Sequence, residues 1–219
     1  MSIQYIFSIL WPMLEGAKAT ILLFLLAIIL SVPIGFLLTL AVTGQIRLLA
    51  WIARGYIYVM RGTPLLLQLL FICFGLPLLP VVGKYLVLDR FVAAVLGFVL
   101  NYAAYFAEIF RGALLAIDKG QYEASQVLGL SKWQTTRRII LPQMIRVALP
   151  AVANESITLV KDTALLYAVA VPEILHFAQT AVNRDFTIVP FFLAGVIYLL
   201  MTLILTMFFK YLEGRMKFD

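Results

Sequence analysis

The sequence predicts an all-α integral membrane protein with five transmembrane helices, its N-terminus outside and its C-terminus in the cytoplasm. Three observations carry that expectation. The 219-residue chain is 63% hydrophobic with a mean hydropathy of +1.02, more apolar surface than one small soluble core hides from water. Five apolar stretches each approach the roughly 20 helical residues that cross a hydrocarbon layer of about 30 Å. The basic residues partition unevenly among the loops between those stretches, which orients the chain.

Each element follows from its own residues. Ile3, Ile6, Phe7, Leu10, Trp11 and Leu14 recur at helical spacing, with Ser2, Gln4, Ser8 and Glu15 between them, so residues 1–18 read as a helix lying in the interface. These residues carry no basic start, and no small-residue cleavage site follows a short apolar run, so the first span is expected to stay. The spans are Thr20 to Thr43, Thr63 to Val82, Phe91 to Ala107, Val147 to Val160 and Ile188 to Phe209. The fourth is short, and the apolar patch from Ala164 to Val171 either extends it or folds back as a separate short helix. The whole of 1–219 reads as one transmembrane domain.

Seventeen Lys and Arg residues divide between the two sides. Twelve fall with one set of loops: Arg47, Arg54, Arg61, Arg111, Lys119, Lys132, Arg137, Arg138, Arg146, Lys210, Arg215 and Lys217; the other five are Lys18, Lys84, Arg90, Lys161 and Arg184. The richer set belongs in the cytoplasm. The net charge of +6 therefore reports topology rather than nucleic acid. Cys73 is alone and inside the second span, which excludes an intramolecular disulfide and disfavours a cysteine metal site.

The cytoplasmic loop 117–143 holds the most polar stretch, "GQYEASQVLGLSKWQTTRRIILPQ" from Gly120 to Gln143. Gly129 can take the left-handed conformation that closes a helix, and Ser131 with Gln134 fits a capping box that opens another. Pro142 disfavours helical geometry at Leu141, so the second helix is expected to stop there, with Pro142 starting the next helix as the chain turns into the membrane.

At these residues the chain resembles a known family. The pattern Glu-Ala-Ala-x3-Gly-x9-Ile-x-Leu-Pro marks the cytoplasmic loop of permease subunits in bacterial ATP-binding-cassette importers; here it reads Glu123, Ala124, Ser125, Gly129, Ile139, Leu141, Pro142, with Ser125 the single departure. "RGTPLLLQ" (61–68), "NYAAYFAEIFRG" (101–112), "KDTAL" (161–165) and "VPE" (171–173) are similar to the polar amino-acid uptake subfamily of histidine, glutamine and arginine type. The resemblance implies a multi-pass permease of the bacterial cytoplasmic membrane. It also implies that Glu123, Ala124, Ser125, Gly129, Leu141 and Pro142 belong to a coupling helix docked on a separate ATPase. The implied partners are a dimer of ATPase subunits, a second permease subunit, identical or related, and an extracytoplasmic solute-binding protein docking over Pro172 to Asp185. No Gly-x4-Gly-Lys-Ser/Thr occurs, so ATP and Mg are expected on the partner, with no cofactor, metal or catalytic residue in this chain.

Two polar stripes in the spans are candidates for cargo contact. An ionisable group at mid-membrane costs about 2.5–3.5 kcal/mol on insertion scales and is usually directed to a protein interior or water-filled path. With the fourth span starting near Met144, Glu155 lies about 16 Å up the helix, near mid-depth. Asn154, Glu155, Thr158, Lys161 and Asp162 recur at three-, four- and seven-residue separations, and Asn101, Tyr105 and Glu108 do so on the third span. Glu108 can instead pair with Arg111, and Asn101 and Glu155 can instead hydrogen-bond between helices. The substrate expected from the resemblance is an amino acid, and the mid-depth carboxylate favours a polar or basic one. Another small solute carried by the same architecture, and an ion-coupled secondary transporter, are the competing readings; the latter usually shows paired internal repeats, and none is evident. A membrane enzyme lacks a nucleophile, metal spacing or a second histidine to support it. A DNA-reading helix-turn-helix lacks a basic recognition face between Gln121 and Arg138. The lone His176 reads as an ordinary surface residue.

Overall fold

The computed structural model describes residues 3–216; Ser2 of the opening helix and Lys217 of the cytoplasmic basic set lie outside the described residues. The described residues are helical apart from short connections, and no strand occurs among them. Helix α1, Ile3–Thr43, runs unbroken for 41 residues, about 60 Å at 1.5 Å per residue. This corrects the expectation of a separate interfacial helix over 1–18. The buried face shows why: Ile9, Met13, Gly16, Thr20, Leu23, Ala27, Ser31, Gly35, Thr39 and Val42 keep three- and four-residue spacing across the supposed boundary, so one stripe packs throughout. The first turns are also tied down, because the Tyr5 hydroxyl donates to Asp185 at 2.9 Å.

The expected second span is corrected too. Helix α2, Arg47–Gly62, was not anticipated, since Arg47, Arg54 and Arg61 interrupt its hydropathy every seventh residue. Helix α3, Leu65–Leu70, follows after Thr63 and Pro64, both extended, and the axis bends by 104°. Pro64 disfavours helical geometry at Thr63 and so sets the break. From α3 the chain continues through a π-turn, Phe71–Gly75, into a 3₁₀ turn, Leu76–Leu78, stopping four residues short of Val82.

Helix α4, Arg90–Leu115, is the central post, packed on α1, α2 and α3. Asp89 caps it, accepting from the Phe91 and Val92 amides at 2.9 and 3.2 Å. Backbones of α1 and α4 approach closely: a Cβ placed on Gly35 would lie 2.7 Å from Phe106 Cβ, and Thr39 Oγ1 donates to the Ala107 carbonyl at 2.9 Å.

Helix α5, Lys119–Val127, and the four-residue helix α6, Lys132–Thr135, form the polar island. A π-turn, Thr136–Ile140, leads directly into α7, Leu141–Asp162, and a 3₁₀ turn, Thr163–Val169, extends α7 upward. The expected stop at Leu141 is therefore corrected: Leu141 is helical, with φ −60° and ψ −45°, and Pro142 sits inside a continuous helical path. The physical reason lies in the π-turn, where the Leu141 amide donates to the Thr136 carbonyl five residues back. Widening the turn makes room for a proline ring that would otherwise meet the carbonyl four residues earlier. The other π-turn stands in the same relation to Pro77, ending two residues before it.

Helix α8, Ile174–Asp185, leaves α7 at 55°, and α9, Val189–Met216, completes the described chain. Helices α1, α4 and α9 are each long and apolar enough to span a membrane, and the two bent pairs bring the number to five if each counts as one span. Glu173, fully buried, joins the outer elements: it accepts from the His176 amide at 2.8 Å and from the Tyr198 hydroxyl at 2.6 Å.

Candidate functional site

Where the α2–α3 break faces α4 and α7, the structure leaves a cavity of about 490 Å³. Its walls come from three places. The break contributes Arg61 through Leu65, α4 contributes Asn101, Tyr102 and Tyr105, and α7 contributes Glu155, Thr158 and Asp162. Residues three, four and seven apart share a helix face, so the α7 wall and the Asn101–Tyr105 pairing on α4 are local consequences of helical period.

Of the seven residues expected at a cargo site, Asn101, Tyr105, Glu155, Thr158 and Asp162 line this one cavity. Glu108 lies one turn beyond Tyr105 and pairs bidentately with Arg111, at 3.0 and 2.7 Å. Lys161 and Asn154 are exposed and do not line it; the α7 stripe divides, with 155, 158 and 162 facing inward.

The hydrogen bonds separate struts from free groups. Asn101, only 4% exposed, donates to the Met60 carbonyl and to Gln68 Oε1, both at 3.0 Å. Gln68 donates in turn to Met60 O at 2.9 Å and Thr63 Oγ1 at 2.7 Å. These side chains satisfy a carbonyl orphaned where α2 ends, so Asn101 holds the helix break open. Tyr102 donates its hydroxyl to Asp162 at 2.7 Å. Glu155 accepts no hydrogen bond from any described residue. Sequence reasoning missed Arg61, Gln68 and Tyr102 as parts of this site. Each acts on a residue at least five positions away, and no periodic signal reports such contacts.

The island has its own geometry. Gly129 is left-handed at φ +71°, the Leu130 amide donates to Ser125 O and the Gly129 amide to Gln126 O, both at 3.0 Å, which completes a Schellman closure of α5. Ser131 and Gln134 form the expected capping box. Ser125 is buried and donates to Gln121 O at 2.6 Å, while Glu123 and Ala124 face solvent. Val127, Leu128 and Trp133 are 88%, 74% and 69% exposed, an apolar face on an otherwise polar element that the sequence reading did not single out. Gln143 donates to Gln121 at 3.1 Å and ties α5 to the root of α7.

Comparison with known proteins places these features. Residues 31–218 match the family described as binding-protein-dependent transport system inner membrane component. The chain is 38% identical over 219 residues to the glutamine transport system permease protein GlnP of Escherichia coli (strain K12), covering 98% of this chain and 99% of that protein. It is 38% identical over 205 residues to the arginine transport system permease protein ArtQ of Bacillus subtilis (strain 168), covering 93% and 92%. A crystal structure of an amino acid ABC transporter with histidines superposes with a TM-score of 0.88 at 30% identity, covering 98% and 99%. An inward-facing MetNI methionine ABC transporter shares the fold, with a TM-score of 0.74 at 19% identity over the full length of both chains. With the family matched over most of its length and several membrane-competent helices around an internal polar cavity, the chain belongs to the inner-membrane components of binding-protein-dependent transport systems, the permease subunits of ATP-binding-cassette importers.

Proposed function

We propose that this chain is the membrane subunit of an ATP-driven amino-acid importer, and that the cavity between the α2–α3 break, α4 and α7 is where cargo rests during passage. The observation that carries this reading is Glu155: a carboxylate about two-thirds of the way along α7, open to a cavity and given no hydrogen bond by any described residue. Such a group is costly in a membrane unless a ligand or water meets it. An ammonium group supplies the missing partner. The amino-acid cargo is supported by relatives whose names specify glutamine and arginine transport.

In this reading two permease subunits, identical or related, enclose the path, and a dimer of ATPase subunits drives it from the cytoplasm, binding ATP and Mg. Glu123, Ala124 and Gly129, with the exposed Val127, Leu128 and Trp133, form the face the ATPase grips, and the buried Ser125 fixes the α5 backbone behind it. Leu141 and Pro142 carry the push, because the helical path from Lys132 to Val169 bears the island at one end and Glu155, Thr158 and Asp162 further along. The N-terminus faces outward, and a solute-binding protein docks over the Pro172 to Asp185 segment.

The test is reconstitution with the ATPase and binding protein in vesicles. Glu155→Gln is expected to cut uptake at least tenfold while cargo-stimulated ATP hydrolysis persists, and Glu123→Arg to abolish stimulation while leaving insertion intact. Normal uptake in Glu155→Gln would refute the cargo site, and normal stimulation in Glu123→Arg would refute the coupling face.

A further inference from the structure

Arg61 is the single cation among the described residues that line the cavity. Like Glu155, it makes no hydrogen bond with any described residue. Arg111 already occupies both oxygens of Glu108, so Arg61 Nη1 stands 3.6 Å from Oε2, at ion-pair but not hydrogen-bond range. Its guanidinium lies over the Tyr105 ring, 5.3 Å from the centroid, which orients the plane without using an N–H. The side chain keeps 42% of its surface exposed and donates no hydrogen bond to any described residue. A guanidinium has five N–H donors in a planar fork that matches a carboxylate. Here that fork is held in place and left unused.

The other polar groups are mostly spent. Asn101 donates to Met60 and Gln68, Tyr102 to Asp162, and the Thr158 hydroxyl to the Asn154 carbonyl at 3.1 Å. The cavity is therefore polarised, with carboxylates on the α7 wall and, at the α2–α3 break, one guanidinium that lies at ion-pair range of Glu108 and has no hydrogen-bonded acceptor among the described residues. A zwitterion fits that field in one orientation, its ammonium toward Glu155 and its carboxylate toward Arg61. We infer that Arg61 receives the α-carboxylate of the cargo and makes the site selective for amino acids over the corresponding amines. The inference rests on the cavity being the cargo site.

The experiment measures binding of radiolabelled ligands to the purified permease–ATPase complex in lipid nanodiscs, without the binding protein, so that selectivity belongs to the cavity alone. Two pairs serve as probes: L-arginine with agmatine, and L-glutamine with 4-aminobutanamide, each amine lacking only the α-carboxylate. For whichever pair binds, the wild type is expected to prefer the amino acid at least tenfold. In Arg61→Gln that ratio should fall to near one, chiefly through loss of amino-acid affinity. A structural role for Arg61 would weaken both members of a pair in parallel and keep the ratio, and that result overturns the proposal. Should Arg61→Gln fail to assemble, Arg61→Lys reads the same quantity: the charge stays, the fork is lost, and the ratio should drop several-fold, an unchanged ratio again being contrary. If no probe binds the wild type, the selectivity assigned to Arg61 is refuted, and if Glu155→Gln also transports normally, the cavity reading itself fails with it.

Discussion

Replacing Glu173 by alanine tests how the outer half of the molecule is held. Glu173 is 0% exposed and its carboxylate does two things at once, capping α8 through the His176 amide and accepting from Tyr198 on α9, while its backbone lies against α1. A Cβ on Gly16 would lie only 2.6 Å from the Glu173 carbonyl carbon. Removing the carboxylate forfeits an N-cap, about 1 kcal/mol, and takes from the half-buried Tyr198 hydroxyl its charged acceptor, about 1–3 kcal/mol. The sum of about 2–4 kcal/mol corresponds to a drop of roughly 4–16 °C for a chain of this size. Cys73, the chain's lone cysteine and only partly buried, lets a fluorogenic thiol dye follow thermal unfolding of the detergent-purified protein. Glu173→Gln keeps the shape and one acceptor, so it should lose about 1 kcal/mol. An alanine variant melting within about 2 °C of wild type would refute the claim that this carboxylate pins α8 and α9 together.

Gly129→Val places a β-branched residue at φ +71°, where nothing within 4 Å would obstruct its Cβ, so the cost of about 1–2 kcal/mol is purely conformational. Stimulation of ATP hydrolysis by loaded binding protein should fall, and Gly129→Asn should largely keep it. Asn101→Ala removes the two bonds that α4 contributes to the α2–α3 break, a loss of about 1–3 kcal/mol that should appear as faster protease cleavage between Gly62 and Leu65 and a lower melting temperature. Pro142→Ala removes the ring that the Thr136–Ile140 π-turn accommodates. Relaxation to α geometry would rotate α6 by about 100° against α7 and break the Gln121–Gln143 bond, so uptake should fall. Deleting Thr136 as well removes the extra residue and should restore uptake, whereas full activity in Pro142→Ala alone would sink the argument.

Much of the architecture was legible because it depends on neighbours along the chain. The capping box at Ser131 and Gln134 and the left-handed turn at Gly129 need only a few adjacent residues, and the structure holds both as expected. The inward stripe of Glu155, Thr158 and Asp162 follows from helical period alone. The same local logic misread Pro142, where a π-turn absorbed a proline that by itself argues for a stop. It also divided α1 at residue 18, where the surface pattern changes but the buried stripe does not.

By itself, then, the chain's apolar content and periodicity determined that it lies in a membrane as helices, carries a polar island, and turns carboxyl groups toward an interior. Only tertiary packing decided that α2 and α3 form a broken pair, that Arg61 stands beside Glu108 some 47 positions later, and that Glu173 meets Tyr198 on another helix. The reason is that helical period places side chains on one face of one helix, whereas the meeting of two faces depends on which helices pack, and no spacing within either one encodes that choice.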